Sequence, residues 1–182
     1  ITSSEVASLW RDRQGIMWIG MIGGGVNMAN TRKAKFNLDR LSEAKRILKS
    51  NCVRSILLDD EGQLWMGIST YGFGVEDRRT GKFTHHGQMP DFSSYRGIST
   101  VMSIMQSPST GHIWIGVYNG GAYEIDQSAP VGKRVKAHNS SNAPWMCNSC
   151  IYYICEDSKR NLWFATKSGI SMRAADGTSV RF

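Results

Sequence analysis

Apolar residues along this chain come in short, recurring blocks. Val6-Ala-Ser-Leu-Trp10, Val53-Arg-Ser-Ile-Leu57, Val101-Met-Ser-Ile-Met105 and Ile151-Tyr-Tyr-Ile-Cys155 each precede a turn signal and a second run: Trp18-Ile-Gly20, Trp65-Met-Gly67, Trp114-Ile-Gly116 and Trp163-Phe-Ala165. The four tryptophans recur every 47 to 49 residues. Runs this short, bounded by Gly, Asp and Ser, predict strands rather than helices. Asp12-x-x-Gly15 and Asp59-x-x-Gly62 fit type I turns, with Asp accepting from the turn backbone and Gly relaxing the last position. Copy three uses Ser107-Pro108-Ser-Thr-Gly111, and copy four places Arg160 where Gly is expected, so its turn is expected to differ.

A glycine-bearing turn follows each Trp strand: Gly23-Gly24-Gly25, Gly72-Phe-Gly74, Gly120-Gly121 and Ser168-Gly169. A third strand comes next, and a fourth begins near Lys35-Phe36, Lys82-Phe83, Arg134-Val135 and Arg181-Phe182. Each copy is thus a four-stranded antiparallel meander. The first strand is apolar on both faces, with Val53 and Leu57 expected on one side and Ile56 and Leu58 on the other. Sheets covered on both sides are stacked blades, so the fold class is all-β, a β-propeller of four blades at about 1–49, 50–98, 99–147 and 148–182. A β-sandwich gives no reason for the period. Val53, Ile56, Trp65 and their repeat equivalents are expected to be buried. So is Cys155, which aligns with Trp10, Leu57 and Met105.

The pattern Val-x-Ser-Ile-x-x-Asp-x-x-Gly-x-Leu-Trp-Met-Gly, followed by a Gly-rich turn and a Gly-Lys-Phe strand, resembles the two-component regulator propeller repeat. Copy two is nearest to it. That repeat typifies the periplasmic sensor region of hybrid two-component histidine kinases of gut Bacteroides. The resemblance implies seven-bladed rings, so these four blades are expected to form an open arc, a partial propeller within a longer protein. It also implies periplasmic location, a membrane helix outside the segment, and sensing of carbohydrate fragments. It supplies no ligand residue.

Composition fits this reading. Of 182 residues 41% are hydrophobic and 20% charged, which excludes disorder as a whole-chain description. No apolar run reaches the ~18 residues of a membrane helix, and the start at Ile1 reads as the middle of something longer. The net charge is +7, of which +5 falls between Arg32 and Lys49, a segment read as a solvated basic loop with one helical turn over 41–48. Such a segment is also a modest hint toward an acidic glycan. No partnership with nucleic acid is expected.

Neither a catalytic triad, a paired-carboxylate motif nor a phosphate loop is legible, so no enzyme activity and no cofactor are expected of this segment. A propeller glycosidase or lyase ranks last. Histidines 85, 86, 112 and 138 show no carboxylate at a telling spacing. Cys147-Asn-Ser-Cys150 lacks the further ligands of a zinc site, leaving a local disulfide or two free thiols. The equally placed tryptophans read as packing between blades. Loop residues that the repeat does not require are the ligand-binding candidates: Tyr71, Tyr95, Arg96, Tyr118, Asn119 and Trp145. Rings suit the CH face of a sugar, while Arg and Asn suit hydroxyls or carboxylates. The alternative is a structural segment serving self-association or neighbouring blades.

Overall fold

The expected meanders are found in a computed structural model, which describes residues 4–30, 35–39, 52–95 and 97–182. The first sheet contains β1 (Val6–Arg11), β2 (Ile16–Met21), β3 (Gly25–Asn30) and β4 (Lys35–Asp39). The second contains β5 (Val53–Leu58), β6 (Gln63–Ile68), β7 (Gly72–Asp77) and β8 (Phe83–His85). The third comprises β9 (Val101–Gln106), β10 (Ile113–Val117), β11 (Gly121–Ile125) and β12 (Val135–His138), the fourth β13 (Ile151–Glu156), β14 (Leu162–Thr166), β15 (Gly169–Arg173) and β16 (Ser179–Arg181). Within each sheet neighbours in space are neighbours in sequence and antiparallel, which makes a four-bladed, all-β propeller. Helix among the described residues is confined to 3₁₀ turns at His86–Gln88 and Pro90–Phe92. The helical turn expected over 41–48 and most of the basic segment lie outside the described residues.

Three apolar clusters hold the blades together, each bridging consecutive sheets. Trp18 and Val26 meet Val53 and Ile56; Leu57 and Trp65 meet Val101 and Ile104; Trp114 and Ala122 meet Ile151 and Ile154. The first strand therefore packs Val and Ile against the preceding blade, while the tryptophan of the second strand faces the following one. This polarity explains where the expected burial fails. Val6 and Leu9, the equivalents of Val53 and Ile56, are 48% and 63% exposed because no described blade precedes theirs. Trp163 is only half-buried, and Cys155 is exposed, because no described blade follows the fourth.

A β-bulge corrects the expected facing of the first strand. Val53 pairs with Ile68 and Ser55 with Gly67, leaving Arg54 unpaired, and the same slip leaves out Ala7, Met102 and Tyr152. One extra residue flips what precedes it to the other face. Val53 accordingly joins Ile56 and Leu58 against blade one, and Leu57 alone faces blade three.

Opposite the bulge a Ser–Gly pair forms the seat of the next blade: Ser8 with Gly20, Ser55 with Gly67 and Ser103 with Gly116. A Cβ on Gly67 would lie 2.7 Å from Val101 Cγ1, and one on Gly116 2.7 Å from Ile151 Cγ2, so only glycine admits the approach. The Ile154 N–H donates to Ser103 Oγ across the seam at 3.1 Å. In blade four this pair is Tyr153–Ala165.

The Asp-x-x-Gly turns form as expected. Gly15 N–H donates to Asp12 O at 3.0 Å and Gly62 N–H to Asp59 O at 3.1 Å, both glycines at φ near +80°. The turn of copy four does not differ. Arg160 takes φ +65° and donates its N–H to Asp157 O at 2.9 Å. Asp157 imposes the conformation, because its Oδ1 accepts from both Lys159 N–H and Asn161 N–H at 2.9 Å.

Candidate functional site

The β6–β7 turn and the connection from β8 to β9 build a depression of about 450 Å³ lined by Tyr71, His85, His86, Gln88, Tyr95 and Ser99. Gly72, at φ +75°, lets the turn approach this connection closely, since a Cβ there would meet His86 Cε1 at 2.2 Å and Ile98 O at 2.8 Å. Gly72 N–H is tied to the carbonyl of Ser99. The Tyr71 ring lies 5.3 Å from that of His85, which lies 4.2 Å from His86.

Neither histidine is free for acid–base work. His85 Nε2–H donates to Tyr71 O at 2.7 Å and its Nδ1 accepts from Gly87 N–H at 3.2 Å, so both of its ring nitrogens are engaged by the backbone. His86 stacks on Phe73 at 5.1 Å, and burial, helped by the neighbouring His85, lowers its pKa to about 4. No carboxylate is among the described residues lining the depression. What it offers is aromatic edge and face, an amide and hydroxyls, the chemistry of binding an uncharged polyol.

Of the candidates read from the sequence, the depression unites Tyr71 and Tyr95. Tyr95 is also held from behind: its hydroxyl donates to Val135 O at 3.1 Å and its ring meets Tyr123 edge-on at 5.4 Å. Tyr118 lies on the same side, its N–H donating to Thr100 O while Thr100 Oγ1 accepts from Thr70 N–H. Its ring is edge-on to Tyr152 at 6.1 Å. Asn119 occupies a turn position at φ +60°, for which Asn is favoured on conformational grounds alone. Trp145 packs between blades, 5.0 Å from Phe164, under the Arg173 guanidinium. Arg96 lies outside the described residues. Nothing in the sequence shows that Tyr71, fourteen residues before His85, meets it across β7 and β8.

A second constellation corrects the reading of the histidines as lacking carboxylates. On blade three Glu124 accepts from His112 Nδ1 at 3.0 Å with one oxygen and from His138 Nε2 at 3.1 Å with the other. The His138 bond is the chief cause that lowers the Glu124 pKa to about 2. Strand pairing of β11 with β10 and β12 creates this contact, which sequence spacing hides. His138 is 5% exposed and stacked on Trp114, so the trio braces the blade. Cys147 and Cys150 are not bridged.

The two-component regulator propeller family model matches residues 47–70 and 146–168, which fall on copies two and four. No curated protein matches the chain. Over its whole length the chain is similar to the extracellular domain assigned to a hybrid two-component system of B. thetaiotaomicron, at 25% identity and a TM-score of 0.76. It spans only 23% of that chain. A second extracellular domain from B. thetaiotaomicron, assigned to a one-component system, matches 94% of this chain and 22% of its own at 19% identity and TM-score 0.69. A streptogramin B lyase matches the whole chain and 55% of its own at 14% identity and TM-score 0.72, a likeness of fold alone.

Proposed function

We propose that this chain is a ligand-binding part of the periplasmic sensor region of a hybrid two-component histidine kinase, recognising a carbohydrate without transforming it. The observation that carries this reading is the depression in which Tyr71 and Tyr95, candidates from the sequence, meet His85 and Gln88 on the loop side of the blades. Aromatic rings beside amides and hydroxyls suit the alternating CH faces and hydroxyls of a sugar. With both ring nitrogens of His85 engaged by the backbone, the His86 pKa lowered by burial, and no carboxylate among the described lining residues, the depression offers no acid–base pair for glycoside cleavage. The repeat in copies two and four and the resemblance to a Bacteroides extracellular domain support the sensor setting.

Calorimetric titration of the chain with neutral and acidic oligosaccharides tests the reading. Saturable binding that Tyr71→Ala weakens at least tenfold is expected, with the glycan recovered intact. Turnover of any glycan would replace it with an enzyme.

A second reading, a structural segment serving self-association or neighbouring blades, is favoured by the apolar residues on the two end faces. Val6 and Leu9 are exposed at one end, and Tyr153 and Phe182, 62% and 65% exposed, at the other.

A further inference from the structure

The bulge in each innermost strand sets one side chain per blade apart from the sheet pairing: Ala7, Arg54, Met102 and Tyr152. All four line a single concavity of about 740 Å³ enclosed by β1, β5, β9 and β13. It is distinct from the depression at Tyr71, with which it shares no lining residue. Bulges re-aim side chains and are frequent beside binding sites. The flanking positions keep the repeat's Val or Ile and, in three copies, Ser, whereas the bulge position varies freely from Ala to Arg, Met and Tyr. The fold fixes where these side chains emerge and leaves their chemistry open.

That chemistry points to an anion. Arg54 is the one charged residue among the described residues lining the concavity, and no Asp or Glu stands near it there. Its Nε is buried and makes no hydrogen bond. The hydroxyls of Ser8 and Ser55 are likewise buried without partners, and these three are the buried unpartnered side-chain atoms found among the described residues. All three residues line this one concavity, the two serine hydroxyls lying over Gly20 and Gly67 at its rim of Ser–Gly pairs. Buried donors without partners are rare, and a group of them around one cavity marks a place where something else supplies the acceptor. On its β13 side the cavity wall is aromatic: Tyr152, 41% exposed, is braced edge-on by Tyr118, and Tyr153 lines the wall with it.

We propose that this concavity is a second ligand site, taking a sugar that carries an oxyanion, with the carboxylate or sulfate on the Arg54 guanidinium and the sugar ring against Tyr152. Guanidinium binds such groups through paired N–H donors. The site deepens the carbohydrate reading but is tested separately from the depression at Tyr71.

The experiment is an NMR titration of the chain, following the Arg54 Nε–H resonance at fixed ionic strength. The probes are digalacturonate, a sulfated disaccharide, a neutral disaccharide and inorganic sulfate. Digalacturonate or the sulfated sugar is expected to shift that resonance saturably, and whichever binds names the oxyanion. The neutral sugar should leave it unmoved. By calorimetry, Arg54→Gln should weaken acidic-sugar binding at least tenfold, Arg54→Lys less, and Lys136→Gln, an exposed cation lining neither concavity, not at all. An Nε–H that no acidic sugar moves would overturn the proposal in the unaltered protein, whatever the variants do. Loss of acidic-sugar binding in Tyr71→Ala with Arg54→Gln unaffected would overturn it while sustaining the depression. Inorganic sulfate binding as tightly as either sugar would overturn the sugar assignment.

Discussion

The indole Nε1–H of Trp65 donates a 2.8 Å hydrogen bond to Asp59 Oδ2, while the other oxygen of the same carboxylate accepts from Glu61 N–H and Gln63 N–H. One buried side chain thus closes the hairpin turn and orients the tryptophan that packs on the next blade. Asp12 with Trp18, at 3.2 Å, and Asp157 with Trp163, at 2.8 Å, repeat it. In blade three Ser107 replaces the aspartate and turns its hydroxyl to Glu156 of blade four. Asp59→Ala leaves the indole and two backbone donors without their acceptor, so it should cost about 2–3 kcal/mol. Urea denaturation measures it, and the cost should exceed that of Ser107→Ala.

Arg160 supports a stabilising substitution. It holds a left-handed backbone that costs an L-residue about 1–2 kcal/mol, against a smaller entropic cost for glycine. Arg160→Gly should therefore raise stability by roughly 0.5–1 kcal/mol, read as a higher denaturation midpoint with an unchanged slope.

The His86 pKa gives a pH dependence with a definite sign. Its folded value of about 4 lies below the 6.5 of the unfolded chain, so the unfolded state binds the extra proton between them. The stabilisation is fully present above pH 6.5 and is lost as pH falls toward 4. After discount for partial exposure it is of order 1 kcal/mol. Denaturation at pH 7 and pH 4.5 should show a smaller pH difference in His86→Gln than in the unaltered chain.

The end faces yield a prediction about association. Apolar residues left open at Leu9 and Tyr153 favour self-association, proposed here as blade-to-blade contact between copies. Blade four, however, presents Tyr153–Ala165 where the internal seams present Ser–Gly. Tyr153→Ser with Ala165→Gly should recreate the seat that Val53, Val101 and Ile151 occupy elsewhere. Light scattering across micromolar concentrations should show tighter association in that double variant. A strictly monomeric particle in both forms would remove the proposal.

The meander and its period were legible because the turn chemistry and the Trp strand recur in register, so Asp12, Asp59, Trp18 and Trp65 announce their own roles. The facing of Val53 is not legible from alternation, which assumes an unbroken pleat, whereas the bulge at Arg54 breaks it by one residue. Its signal was present in the repeat as one variable position between constant ones. The exposure of Val6, Leu9, Trp163 and Cys155 was hidden because alignment equates positions whose neighbours differ at the ends of the array. Contacts such as Glu124 with His112 and His138 depend on pairing between strands, which spacing along one strand cannot show. The depression at Tyr71 needed the fold to bring His85 and His86 beside it.

The measurement that bears most directly on the sensor reading is an amide chemical-shift map of the chain titrated with an oligosaccharide panel. A binding glycan should perturb Thr70–Tyr71, His85–Gln88 and Gly97–Ser99 together, with an affinity that Tyr71→Ala lowers at least tenfold. No perturbation of these segments by any oligosaccharide at millimolar concentration would contradict that reading.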